Sequence, residues 1–547
     1  MQEINGAEAI IKVLEDLGVR IIFGYPGGAN LPIYDALAKS TQIKHILARH
    51  EQGAAFMAGG YARVKGVPGV CLATSGPGVT NLITGLADAY LDSVPILALT
   101  GQISRDFVGT DAFQEVDTFN MTIPITKHNE LIYNEKELVP AIRSAFFIAS
   151  SGRYGPTLVD IPRDIQEKKA HYDLSETREN KGYQPTLVPH IGQIKRCFRA
   201  LRKAERPLII AGGGVVLARA NQKLLAFVEK TGVPVVRTLM GKSAMPEDHD
   251  LFLGMLGTHG NADANRAVVQ SDMVLAIGTR FGDRSTMQKK SYFLKDKVVV
   301  HIDIDPAEIS KTVAVDIPMV GDINEALNLL LKGLVERAEF PKQKWFKRKT
   351  NDNILGKWEE AEIIGLAVSE ISKIDQELHL STDVGRHQMW ATHFCNNSKH
   401  WPLLTSGGLG TMGFGLPAAI GAWFADPTKP AINITGDGSF YMNMQEFVVA
   451  VEYDVPLTVF IVNDQKLGMI RELQKTKYGG RYFGHNFKHT IDFVGLARAM
   501  GGQGYKINHK FEILPTLLKA IKSKKPCIID FDLHRVAKGL APTLKAM

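Results

Sequence analysis

Gly436-Asp437-Gly438-Ser439 and Asp464, 27 positions beyond Asp437, carry the most suggestive chemistry in this chain. The glycines let a diphosphate approach the backbone. Each aspartate offers a hard oxygen of the kind that Mg²⁺ takes when it shares its octahedron with phosphates. Residues 431–435 and 457–462 are apolar, β-branched runs that read as neighbouring strands, which puts both carboxylates at carboxyl ends of strands. Gly-Asp-Gly alone is usually a turn, but paired with a second acid at this spacing it predicts a metal-bound diphosphate clamp.

Two other segments could complement it. Phe23-Gly-Tyr-Pro-Gly-Gly-Ala29 follows a strand-like run as a loop of backbone donors would, and Arg49-His-Glu-Gln-Gly53 opens an Ala- and Gly-rich helix. By itself Glu51 reads as a helix-start carboxylate favoured by the dipole. Ala211-Gly-Gly-Gly-Val215 ends another strand with glycines that permit close backbone approach, and alone it reads equally well as a tight turn.

The elements that must position these residues follow from periodicity. Short Val-, Ile- and Leu-rich runs at 21–23, 70–74, 96–100, 157–160, 207–211, 274–277, 298–302, 431–435 and 457–462 alternate with helix-length amphipathic stretches. That is the pattern of βαβ units and buried parallel sheets. Polar stretches at 168–190 and 335–357 interrupt it. The predicted fold is α/β, with three doubly wound parallel-sheet domains at 1–170, 190–330 and 365–547. The outer two echo each other: Thr74-Ser-Gly-Pro-Gly78 leads to Thr100-Gly-Gln102, as Thr405-Ser-Gly-Gly-Leu-Gly410 leads to Thr435-Gly-Asp437.

Composition excludes several classes. A chain of 547 residues exceeds one core, and 45% hydrophobic with 22% charged residues is ordinary globular content. The 64 Lys and Arg against 57 Asp and Glu leave a net charge of +7, too dilute to imply a nucleic-acid partner. The basic run Lys342-Gln-Lys-Trp-Phe-Lys-Arg-Lys349 reads as a solvated face. Cys71, Cys197, Cys395 and Cys527 are too scattered for a zinc site or a disulfide framework. With no leader pattern and no apolar run of the ~20 residues a bilayer requires, the expectation is a soluble cytoplasmic protein with no membrane partner.

Longer motifs carry a resemblance. Gly24-Tyr-Pro-Gly-Gly-Ala29, Arg49-His-Glu-Gln-Gly-Ala54, Thr74-Ser-Gly-Pro-Gly-Val-Thr-Asn81 and Gly109-Thr-Asp-Ala-Phe-Gln-Glu115 closely resemble the acetohydroxyacid synthase (acetolactate synthase) catalytic-subunit family. Met255-Leu-Gly-Thr-His-Gly260, Arg280-Phe-Gly-Asp-Arg284, Asp383-Val-Gly-Arg-His-Gln-Met-Trp390, Thr405-Ser-Gly-Gly-Leu-Gly-Thr-Met-Gly413 and Gly468-Met469 extend it nearly end to end. The resemblance implies thiamine diphosphate, Mg²⁺ and FAD as cofactors. The implied reaction decarboxylates pyruvate and transfers its hydroxyethyl unit to a second 2-keto acid. With pyruvate the product is 2-acetolactate, and with 2-ketobutyrate it is 2-aceto-2-hydroxybutyrate, both precursors of branched-chain amino acids. It also implies a homodimer or homotetramer, with a separate small regulatory subunit left open.

Roles carried over position by position are implied in the same sense. Glu51 would hydrogen-bond the aminopyrimidine, Gly28 would lie near the reacting centre, and Phe113 and Gln114 would line the substrate approach. Arg284 would pair with the acceptor carboxylate. Val384, Gly385, Arg386 and His387, with Gly436, Gly438 and Ser439, would embrace the diphosphate. Gly410 and Met412 would face the aminopyrimidine, Met442 would wedge the cofactor into a bend, and Gly468 and Met469 would complete its pocket. Magnesium would take Asp437, Asp464 and the Lys466 carbonyl. Arg153, Gly212, Gly213, Thr238, Leu239, His259, Gly278, Arg280 and Asp303 would contribute to flavin binding.

Several positions depart from the family pattern. Leu473 stands where many members carry a Trp that shapes the acceptor pocket, and Gly282 replaces an Asp in the flavin segment. Arg386 replaces a usual Gln, Asp464 a commoner Asn, Arg163 a Lys, Ser104 a Pro and Gly59 a Glu. Other readings stay open: a pyruvate oxidase, a carboligase with a different acceptor, or a non-catalytic nucleotide-binding scaffold. Glu51 speaks against a glyoxylate carboligase. No Gly-x-Gly-x-x-Gly follows an early strand, which weakens a plain dinucleotide oxidoreductase.

Overall fold

The computed structural model describes residues 2–287, 293–335, 345–347, 361–372, 374, 377–395 and 402–536. Most of the basic run 342–349 and of the polar stretch 335–357 lies outside them. Two compact units form: Met1–Tyr183 with Leu378–Gln388 and Leu404–Met547, and Gln184–Glu377 with Met389–Leu403.

In the first unit, β1 (Gln2–Asn5) precedes six strands: β2 (Ile21–Gly24), β3 (Lys44–Leu47), β4 (Gly69–Ala73), β5 (Ile96–Gln102), β6 (His128–Leu131) and β7 (Pro156–Pro162). β8 (Lys169–Tyr172) then returns antiparallel to β1, so the polar stretch from 168 begins with a strand. β2 to β7 make one parallel sheet, ordered β3-β2-β4-β5-β7-β6. Its central strands β4, β5 and β7 are buried along their whole length, as continuous β-branched runs covered on both faces must be.

The second unit holds β9 (Pro207–Ala211), β10 (Val235–Arg237), β11 (Phe252–Met255), β12 (Met273–Ile277), β13 (Val298–Asp303) and β14 (Ile317–Val320). Their order, β11-β10-β9-β12-β13-β14, is 3-2-1-4-5-6 when counted from the first strand. That is the dinucleotide-binding arrangement, whose crevice opens between strands 1 and 4.

A third sheet, in the first unit, has β15 (His379–Thr382), β16 (Leu403–Leu404), β17 (Ala431–Gly436), β18 (Leu457–Asn463), β19 (Gln503–Ile507) and β20 (Cys527–Asp532), ordered β16-β15-β17-β18-β20-β19. Counted from their own first strands, both outer sheets read 2-1-3-4-6-5. The sequence echo between them is thus matched by topology. In each, the order reverses between the first and third strands, where open α/β sheets leave a crevice at the carboxyl ends.

Helix Glu51–Lys65 of the first sheet packs on helix Gly415–Ala425 of the third with almost no room between backbones. A Cβ at Gly60 would lie 2.1 Å from the Ala418 carbonyl oxygen, and one at Gly421 would lie 1.9 Å from that of Met57. Phe23, Phe440, Phe447, Leu416 and Ile461 belong to one continuous apolar core spanning both sheets.

Candidate active site

The clamp forms where β15, β17 and β18 end side by side. Gly436 closes β17 and Asp437 begins the next helix, Asp437–Asn443. Asp437 Oδ1 accepts from the Gly438 N–H at 2.9 Å, while Oδ2 is buried without a partner. Burial, then the charge of Asp464, pushes this carboxyl up to about 7. An orphaned acidic oxygen beside a second carboxylate is a site that a cation completes. Among the described residues no three His, Cys, Asp or Glu side chains converge on one point. A metal here would therefore take its remaining ligands from backbone and phosphate, and Lys466, whose N–H faces Asp464 Oδ1 at 3.4 Å, is within reach of that role.

β15 supplies the other wall. His387 is buried with Nε2 unpartnered, and burial, then the Arg386 guanidinium, drives it down to about 3, so the ring is neutral. A side chain at Gly385 would put its Cβ 2.6 Å from that ring, and one at Gly436 3.2 Å from it. Arg386 is ion-paired with Asp464 and lies on the Cα of Gly468. Ser439 Oγ donates to the Val384 carbonyl at 3.3 Å. A neutral imidazole, a fixed guanidinium and side-chain-free backbone suit a diphosphate.

Gly410 and Met412 lie on the loop after β16, and Asn443 Nδ2 donates to the Gly413 carbonyl at 2.8 Å, tying that loop to the clamp helix. Met442 is half exposed and would meet a Gly413 side chain at 3.0 Å. Met469 follows Gly468 in helix Gly468–Lys477, which also carries Leu473.

The first sheet holds Glu51, buried at the start of its helix, where Oε2 accepts from Asn81 Nδ2 at 2.9 Å. Gly28 opens a short 3-10 turn onto open space. Phe113 is 87% exposed, and Gln114 is held at φ +62°, a strained value for a residue with a side chain. Phe107 and Ile123 are also exposed.

In the other unit, Gly212 and Gly213 follow β9 and Gly278 follows β12, at the switch point. A Cβ at Gly212 would lie 2.1 Å from the Gly278 carbonyl, so the glycines are spent partly on joining two strand ends. Thr238 and Leu239 follow β10, and Asp303 ends β13 with Oδ1 accepting from the Asp305 N–H at 2.9 Å. The His259 carbonyl accepts from His393 Nε2. Arg280 lies just beyond β12, and Arg284 is an exposed side chain 3.7 Å from Asp283. Arg153 belongs to the first unit, with Nε donating to Ser93 Oγ at 2.9 Å.

Sequence reading missed three groups. Asn81 ends the Thr74-to-Asn81 motif, and only folding shows that it holds Glu51. Glu446, nine positions past Asp437, is fully buried against the Arg49 backbone. Asp88 and Asp92 anchor the Ser406–Gly410 segment: Asp88 accepts from Ser406 Oγ, and Asp92 accepts from the Gly407 and Gly408 N–H groups at 2.9 and 2.8 Å.

This arrangement, a diphosphate clamp and a buried glutamate on two like-ordered sheets with a dinucleotide-type sheet between them in sequence, has a match among family models. Residues 4–121 match the thiamine pyrophosphate enzyme N-terminal TPP binding domain, 194–330 the central domain and 383–531 the C-terminal TPP binding domain. The "Probable acetolactate synthase large subunit" of Methanocaldococcus jannaschii is 45% identical, the match covering 96% of this chain and 91% of that protein. The "Acetolactate synthase large subunit" of Corynebacterium glutamicum is 41% identical over 97% and 87%, and the "Acetolactate synthase" of Arthrospira platensis 43% over 98% and 95%. The chain belongs to the acetolactate synthase large-subunit family of thiamine pyrophosphate enzymes. No helix among its described residues is long and apolar enough to cross a membrane.

Proposed function

We propose that the chain decarboxylates one pyruvate and joins its two-carbon remainder to a second 2-keto acid, giving 2-acetolactate when that acid is pyruvate and 2-aceto-2-hydroxybutyrate when it is 2-ketobutyrate, on thiamine diphosphate held with Mg²⁺. The observation that carries this reading is the unpartnered Asp437 oxygen beside Asp464 at the ends of β17 and β18. Near end-to-end similarity to acetolactate synthases supports it. When bound, thiamine diphosphate supplies a nucleophilic carbon and an electron sink for the bond broken in pyruvate.

The chain's own residues do the rest. Asp437, Asp464 and the Lys466 carbonyl hold the metal, and Val384, Gly385, Arg386, His387, Gly436, Gly438 and Ser439 receive the diphosphate. Gly410 and Met412 would face the aminopyrimidine, Gly468 and Met469 would complete its pocket, and Met442 would pack against the cofactor. Glu51 keeps a proton at the aminopyrimidine nitrogen, its carboxylate oriented by Asn81. Phe113 and Gln114 would line the substrate approach, and Gly28 would lie near the reacting centre. Arg284 offers a planar fork to the acceptor carboxylate. Leu473 leaves the acceptor pocket less restricted than a Trp would, which favours pyruvate as acceptor.

FAD fits the 3-2-1-4-5-6 sheet, where the residues from Gly212 to Asp303 would hold it. Acetolactate formation has no net redox change, so the flavin's role is structural. The exposed Phe113, Phe107 and Ile123 support a homodimer or tetramer in which two chains complete each site. Relatives named large subunits support a small regulatory partner, and the setting is cytoplasmic branched-chain amino acid synthesis. Three domains with boundaries near 1–170, 190–330 and 365–547 form part of the same reading. The test is product analysis of the purified chain with pyruvate, alone and against 2-ketobutyrate, with thiamine diphosphate, Mg²⁺ and FAD withheld in turn. Acetolactate is expected from pyruvate alone, and its absence overturns the proposal.

A further inference from the structure

Arg386 and Asp464 reach the clamp from opposite sides. Arg386 follows β15 and Asp464 follows β18, so their ion pair crosses the end of the central strand β17, where Asp437 sits. Both side chains are buried, at 6% and 8% exposure. The guanidinium also needs Gly468, since a Cβ there would lie 2.4 Å from Nε and 2.5 Å from Nη2. The resemblance read from the sequence implies a neutral Gln and a neutral Asn at these two positions. The two departures carry opposite charge and meet each other. Either one alone would leave a buried uncompensated charge, which costs far more than the pair together.

We propose that Arg386 is a built-in cation of the diphosphate clamp, anchored by Asp464 and able to grip a phosphate oxygen whether or not a divalent metal is bound. This rests on the reading of Asp437 and Asp464 as the metal–diphosphate site. In the Gln and Asn form of the site, metal is the only cation that the diphosphate meets at these two positions. In this chain a fixed guanidinium is added to it, and Arg–phosphate contacts are among the strongest charge-assisted hydrogen bonds. The cofactor's diphosphate is therefore retained here with less dependence on free Mg²⁺. A second carboxylate beside Asp437 at the same time strengthens the hold on the metal once it enters.

The test is thiamine diphosphate binding to the full chain, measured by calorimetry in excess Mg²⁺ and in chelator, for the unmodified chain, Arg386→Gln, Asp464→Asn and the double variant. Failure of the unmodified chain to bind even in excess Mg²⁺ would overturn the clamp reading itself, and this inference with it. If it binds, Arg386→Gln should weaken binding in chelator by about tenfold or more, the worth of one charge-assisted hydrogen bond, and by much less in excess Mg²⁺. Asp464→Asn should raise the Mg²⁺ needed for half-saturation by about tenfold while leaving binding in chelator equal or tighter. The double variant should melt closer to the unmodified chain than either single variant, because it restores a neutral pair. Arg386→Lys serves if the Gln variant does not fold, and should keep part of the chelator-resistant binding. Equal weakening by Arg386→Gln with and without metal, an unchanged Mg²⁺ requirement in Asp464→Asn, or purely additive melting shifts would each overturn the inference.

Discussion

Both carboxylate oxygens of Glu446 lie 3.1 Å from the backbone nitrogen of Arg49, two residues ahead of Glu51. Glu446 ends the turn that follows the clamp helix, so one buried side chain links the segment after Asp437 and Met442 to the start of the Glu51 helix. Burial, offset only in part by the Arg49 N–H, pushes its carboxyl from 4.5 up to about 7. The folded chain thus binds this proton more tightly than the unfolded chain. The stability involved is complete below pH 4.5 and is lost as the pH rises through 7. Glu446→Gln, which keeps the shape without the charge, should gain on the unmodified protein between pH 4.5 and 7 by up to about 3 kcal/mol. Denaturant unfolding of both proteins across that range checks it, and parallel pH profiles would contradict it.

Asp92 accepts from two backbone N–H groups of the Ser406–Gly410 segment and pairs with Arg63 at 3.0 Å, all of it buried. Asp92→Ala should cost about 3–5 kcal/mol, because it leaves Arg63 short of a partner and two amides unsatisfied. Asp92→Asn, able to keep one acceptor, should cost less. Thermal unfolding ranks the two, and an Ala variant as stable as the Asn variant would refute this account.

Adjacent glycines on one helix should respond in opposite ways. Gly60→Ala drives a methyl into the Ala418 carbonyl and should destabilise by about 1–3 kcal/mol or more. At Gly59 the nearest atom to a new Cβ is Ile96 Cδ1 at 3.7 Å. Gly59→Ala should therefore stabilise by roughly 0.5–1 kcal/mol through helix propensity. Melting temperatures of the two variants settle the contrast.

Glu51→Ala should lower turnover by about 10²–10⁴-fold, the usual worth of a positioned proton-handling group, while thiamine diphosphate affinity in excess Mg²⁺ changes little. Asp437→Ala should instead raise the Mg²⁺ requirement by more than the roughly 10–100-fold that losing an outer-shell partner costs. Titrating metal and cofactor against both activity and binding separates the two patterns.

Leu473→Trp restores a large apolar surface on helix Gly468–Lys477. In a competition of pyruvate with 2-ketobutyrate it should shift the product ratio toward the longer acceptor by about tenfold, the worth of a well-packed methylene. An unchanged ratio would place acceptor selection elsewhere.

How much of this was legible depends on how far apart the interacting residues stand. The central strands β4, β5, β7, β9, β12, β17 and β18 announce themselves as continuous apolar runs because both their faces are covered. β3 and β6 do not, since Lys44 is exposed and His128–Leu131 is half-buried along its length. Asp437 and Asp464 were legible from strand ends and spacing. Arg386 and Asp464 each stood out as a departure, but nothing in a linear chain says that residues 78 positions apart touch. Glu446 and Arg49 are separated by 397 positions, and periodicity carries no signal at that range.

Helix Glu51–Lys65 meets its partner Gly415–Ala425 only after the whole second unit has been made. On a ribosome adding about 5–20 residues per second, the roughly 360 intervening residues take some 20–70 s. Throughout that interval the small-residue face of the first helix, with Met57 and Gly60 at its centre, has no cover. The nascent chain must hold an unfinished core in water while an unrelated sheet folds. The same separation that lets one carboxylate tie the first and third sheets together makes the chain's synthesis a period of exposure to aggregation and a demand on chaperones.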